Sequence, residues 1–87
     1  MNFEGAVVKE QGVTFGIVIV RPSVLSSSAD RNDMVGFGLR AFGPMPIVLM
    51  AQDGRGVPTY WGRPDIVKFL SRLHAAQIPW KRYSMAA

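Results

Sequence analysis

The chain contains no cysteine, and that absence removes disulfide staples, thiolate zinc sites, iron–sulfur clusters and dithiol redox chemistry together. Histidine is almost as scarce. His74 is the only imidazole, and Leu70 and Ile78 occupy the positions one helical turn to either side, so no acidic or histidine partner orients it as a general base or a ligand. It reads as a histidine at the rim of the core. The carboxylates Glu4, Glu10, Asp30, Asp33, Asp53 and Asp65 form no ligand-spaced cluster, and each has a local role in a turn, a cap or a solvated face. No nucleophile elbow surrounds Ser26, Ser27 or Ser28. Asp53-Gly54-Arg55-Gly56 lacks both the lysine of a phosphate-binding loop and the glycine spacing of a dinucleotide fingerprint, so it reads as a hairpin turn. No catalytic, metal or cofactor site follows from these residues.

Long apolar runs are also missing. Val13 to Val20 and Ala41 to Ala51 fall short of the ~20 residues a membrane-spanning helix needs, and Gly43, Pro44 and Pro46 interrupt the second, so no membrane span is expected. Met1-Asn2-Phe3-Glu4 does not read as a secretory signal, and the expected location is the cytoplasm. At 87 residues the chain is one domain, residues 1–87, with 48% hydrophobic side chains to build its core. So short a chain buries roughly 60–65% of its unfolded surface, which makes self-association a natural supplement to its stability.

What is present alternates between β-rich and helical segments. Phe3 to Lys9 reads as an edge strand, Gln11-Gly12 as a turn, and Val13 to Val20 as a central strand with apolar residues on both faces. Arg21-Pro22 ends it. Asp30 or Ser28 caps a helix running to about Phe42, whose buried stripe should be Met34, Val35, Leu39 and Phe42, with Gly36 and Gly38 weakening it by ~1 kcal/mol each. After Gly43-Pro44-Met45-Pro46, Ile47 to Ala51 reads as a second central strand, and Val57 to Trp61 as its antiparallel return, held to an edge by Pro58. Pro64 and Asp65 open a second helix that buries Ile66, Val67, Phe69, Leu70 and Leu73. Pro79 stops it, and Ile78 to Tyr83 becomes a docked tail. The expected fold is α+β: ββαββα with a mixed four-stranded sheet, two helices and that tail. Arg21-Pro22-Ser23-Val24-Leu25 and Arg63-Pro64-Asp65-Ile66-Val67 stand at equivalent places in the two halves, a loose repeat or a shared strand-to-helix punctuation.

Pro46-Ile47-Val48-Leu49, Asp53-Gly54, Gly62 and the helix to Leu70 together resemble the terminal hairpin and helix of thioredoxin-fold proteins. The likeness covers under a third of the chain. Without that family's cysteine pair it implies fold and binding but no dithiol exchange. Val57-Pro58-Thr59-Tyr60-Trp61-Gly62-Arg63-Pro64-Asp65 with Ile78-Pro79-Trp80 is similar to small bacterial proteins without assigned activity.

The net charge of +4 is unevenly spread. Residues 1–53 carry four bases against five acids, whereas residues 54–87 carry Arg55, Arg63, Lys68, Arg72, Lys81 and Arg82 against Asp65 alone. Three functions stay open. If both helices cover one face of the sheet, a second copy of the chain would cover the other face or an edge, making a non-enzymatic, self-associating module, in the simplest case a homodimer, with Val18, Val20, Trp80 and Tyr83 as interface residues. Alternatively, Arg55, Arg63, Lys81 and Arg82 with Tyr60 and Trp61 contact nucleic acid or a phosphoanion, since stacking platforms among cations are the composition of single-strand binders. The third is an enzyme of unrecognised class, which would show a deep pocket holding His74 beside an acid.

Overall fold

The computed structural model describes residues 2–85. Five strands form one mixed sheet. β1 (Asn2–Glu10) and β2 (Val13–Ile19) make a hairpin in which Glu10 pairs with Val13. Its two-residue loop puts both Gln11 (φ 49°) and Gly12 (φ 79°) in the left-handed region, the turn whose twist matches the strands. Arg21 then lies extended ahead of Pro22, and a single helical turn, α1 (Pro22–Leu25), follows. α2 (Ser28–Phe42) begins where the Ser27 hydroxyl accepts from the Asp30 backbone amide at 3.3 Å, so the cap is one residue earlier than expected. β3 (Ile47–Gln52) runs parallel to β2, and β4 (Pro58–Trp61) returns antiparallel along it. α3 (Pro64–Leu70) leads through a 3-10 turn, Ala75–Gln77, to β5 (Lys81–Ser84).

The strand order is β4-β3-β2-β1-β5. The α+β content and the mixed sheet stand as expected, but the sheet has five strands and α1 adds a third, short helix to the expected two. The supposed docked tail is β5, which pairs antiparallel with β1 from Asn2↔Ser84 to Gly5↔Lys81. β1 is accordingly an inner strand. A local sequence window cannot reveal this pairing, because its partners lie some eighty residues apart.

The helices pack on opposite faces. Val18, Ile47 and Leu49 bury one side of the sheet against Phe37 of α2, while Ile17, Val48 and Met50 bury the other against Ile66 and Leu70 of α3. The chain changes face between β4 and α3 at Gly62, where a Cβ would stand 3.0 Å from Val48 Cγ2. Both faces of the central strands are therefore covered within one chain. The bare face on which the self-association argument rested does not exist among the described residues.

α2 packs Met34, Val35 and Phe42 against the core as its sequence pattern suggests, with one exception. Leu39 is 43% exposed, whereas Phe37 and Gly38 are buried. Glycine is the reason. A Cβ on Gly38 would lie 2.7 Å from Ile47 Cγ2, and one on Gly16 would lie 2.5 Å from the Phe42 ring, so both glycines admit α2 closer to the sheet than any side chain would. Gly16→Ala should cost about 2 kcal/mol by overpacking. Combined with Phe42→Leu the two losses should be markedly less than additive, as chemical denaturation of the two singles and the double would show. Full additivity would mean that the glycine and the ring do not meet.

Candidate functional site

The six residues expected to form a basic, aromatic surface fall at two opposite edges of the sheet. Arg55 is exposed in the β3–β4 turn, where the Asp53 carboxylate accepts from the backbone amides of Arg55 at 2.8 Å and Val57 at 3.0 Å. Tyr60 and Trp61 lie on β4, and Arg63 precedes α3. Lys81 and Arg82 lie on β5, four strand spacings away, which at ~4.8 Å each is roughly 19 Å. Linear clustering does not survive folding here.

Two of the cations are also engaged locally. Arg63 donates through Nε and a terminal nitrogen to both oxygens of Asp65, each at 2.8 Å, a bidentate pair. Arg82 stands 3.8 Å from Glu4 across the β1–β5 ladder. Trp61, 38% exposed, is covered on one ring face by the guanidinium of Arg31 of α2, 5.0 Å from the ring centroid, a cation–π contact. Arg31 in turn donates to the Leu25 carbonyl at 2.7 Å. Tyr60 faces the α3 side, its hydroxyl buried without a hydrogen-bond partner among the described residues, and burial pushes its pKa up.

The four expected interface residues are taken up largely within the chain. Val18 is fully buried beneath α2 and offers no surface, which corrects its assignment. Val20 is half-buried at the end of β2. Trp80 packs against the α3-side core and donates its indole N–H to the Ala75 carbonyl at 2.8 Å. Tyr83 stacks on Phe3, ring centroids 5.3 Å apart, and meets Phe42 edge-on at 5.0 Å. His74 is exposed, with its backbone amide bonded to the Gln77 side chain at 3.1 Å, and the described residues contain no His and carboxylate group that could hold a metal.

What remains open is the outer edge of β4. In the β3–β4 ladder Asp53 and Val57 are bonded across the hairpin, so by alternation Thr59 and Trp61 direct their backbone groups inward. Pro58 and Tyr60 then face outward. Val57, 55% exposed, and Trp61 flank this edge, and a shallow groove lined by Pro58, Tyr60, Val67 and Leu73 runs between it and α3. Sequence reasoning found the edge, through Pro58, but assigned its aromatic residues to stacking on bases.

No family model, curated protein or solved structure matches the chain.

Two measurements check this geometry. The hydrogen bonds from Arg63 hold the Asp65 carboxyl down at about 2, below the ~3.9 of an unfolded chain. Their contribution to stability is therefore present above pH 4 and lost as pH falls toward 2. Carboxyl NMR titration should give that low value, and Arg63→Gln should return it to the ordinary range. Trp80→Ala should cost about 3 kcal/mol, since it removes indole packing and leaves the Ala75 carbonyl short of a donor. An unchanged melting temperature would contradict the packing described.

Proposed function

We propose that this chain is a non-enzymatic interaction module that associates with a second copy of itself along the outer edge of β4. The observation carrying this reading is the contrast between the sheet's boundaries. Both faces are covered by helices, and the β5 edge carries Lys81 and Arg82, the like charges that hold strand edges apart. The outer edge of β4 carries two large exposed apolar residues, Val57 and Trp61, whereas the stretch of β1 beyond its pairing with β5 carries one, Val7.

A second copy suits this edge for a geometric reason. Antiparallel pairing of β4 with itself about a two-fold axis at Tyr60 lets each Tyr60 donate its amide to the carbonyl of its twin. The Pro58 carbonyl then accepts from Gly62 of the twin, and the only ladder bond forgone at each end is the one a Pro58 N–H would have given to the Gly62 carbonyl. Trp61 and Val57 of both copies would be covered in the process. Nucleic-acid or phosphoanion binding has less support, because its cations are divided between two edges and Arg63 is held by Asp65.

Sedimentation velocity from low to high micromolar concentration tests the proposal. A concentration-dependent dimer is expected. Val57→Lys and Trp61→Lys should each shift it to monomer with unchanged far-ultraviolet circular dichroism, as a charge placed on an exposed edge opposes pairing. A monomer throughout, or a dimer indifferent to both substitutions, would overturn the reading.

A further inference from the structure

A second concavity lies on the α2 side of the sheet. Where β2 ends, Phe3, Val20, Val24, Met34 and Phe37 wall a depression of about 260 Å³ between the sheet, α1 and the first half of α2. Among the described residues that line it, Arg21 alone has a polar side chain. Arg21 is exposed and makes none of the ion pairs found among the described residues. No carboxylate belongs to the wall. The depression thus joins an apolar interior to one cation at its rim that makes no ion pair among the described residues, whereas the groove between β4 and α3 has no cation in its wall. The hollow beside Glu10 and Asp65 has acidic residues in its wall, and the one between α1 and the β3–β4 turn contains Asp53.

We propose that this depression binds a small amphiphile, a medium-chain carboxylate, with its alkyl body against Val20, Val24, Met34 and Phe37 and its carboxylate at Arg21. Size and charge both select this class. A dry cavity of about 150 Å³ accommodates benzene, so 260 Å³ takes roughly ten non-hydrogen atoms at the same volume per atom. Octanoate has that size. Guanidinium pairs carboxylate bidentately and with charge assistance, whereas an amine of equal length would face an uncompensated cation. The apolar part supplies the contact area, and the arginine fixes which end of the ligand faces outward.

The test is a methyl NMR titration of the full chain with octanoate, octanol and octylamine. Octanoate is expected to shift the methyl signals of Met34, Val20 and Val24 saturably, with a dissociation constant at or below ~1 mM. Octylamine should bind at least about ten-fold more weakly. Arg21→Gln should reduce octanoate to the affinity of octanol while leaving the melting temperature unchanged. Val24→Phe, which fills the depression, should abolish binding of all three. Equal affinity for octanoate and octylamine would overturn the carboxylate assignment. Shifts that do not saturate by ~10 mM, or that centre on other residues, would overturn the site.

Discussion

The contact on which this fold depends is the seating of Phe42 on glycine. Its ring occupies the space that a side chain at Gly16 would take, and it approaches the Cβ position of Gly5 on the neighbouring strand at 3.2 Å. From that seat it meets Phe3 at 5.7 Å and Tyr83 at 5.0 Å, both edge-on. Phe3 in turn meets Phe37 at 4.8 Å. Four aromatic side chains from α2, β1 and β5 thus share one cluster, in the offset and edge-to-face geometries that aromatic quadrupoles favour. The same cluster that docks the end of α2 therefore also fastens the last strand. A chain of this size has few other ways to hold a terminal strand of four residues, since each of its pairings must offset the entropy of ordering that segment.

That dependence explains which parts of the architecture could be read in advance. Features decided by neighbouring residues were legible. The Gln11-Gly12 turn, the edge position of β4 at Pro58 and the helix start at Pro64 all follow from backbone preferences within a few residues, whereas the helical turn at Pro22 was not expected. The two Arg-Pro pairs, whatever their origin, do the same local job: an extended arginine precedes a proline in the first helical turn. Features decided by distant approach were not legible. On α2, Met34, Val35 and Phe42 pack inward as periodicity implies, but Leu39 lies out and Gly38 in, because periodicity counts apolar side chains and Gly38 is inside for having none. From its sequence alone β5 looks like a tail, because nothing within Lys81–Ser84 announces a partner at Asn2–Gly5.

The same distinction governs the surface. Arg63, Arg82 and Arg55 are close in sequence to Tyr60 and Trp61 or to Trp80, and sequence proximity suggested a common surface. Strand order disperses them, since the two strands that carry this segment bound the sheet on opposite sides. Dispersed cations in water, each near its own carboxylate or none, contribute to solubility more than to recognition. Arg21 is different in kind. It lies in the basic-poor part of the chain, where counting charge drew no attention, yet it is the cation that folding places beside an apolar hollow. What sets it apart is the apolar wall it borders and not its company in sequence.

Arg31 shows how the fold allocates protection around the β4 edge. Its guanidinium bonds the carbonyl that ends α1 and lies over the indole of Trp61, so a single side chain ties both helices of that face to the outermost strand. The α2-side face of β4 is thereby roofed, and on the other face the Tyr60 ring joins the α3-side core. Neither roof reaches past β4 itself. Pro58 removes one amide from the outward edge, which lowers the number of partners that could extend the sheet without removing the edge. Any chain that pairs there must leave the Pro58 nitrogen without a bond and must cover an indole that already has a cation over one face. Pre-ordering of that kind reduces the entropy lost on association, so a surface of only a few residues gains in selectivity what it lacks in area.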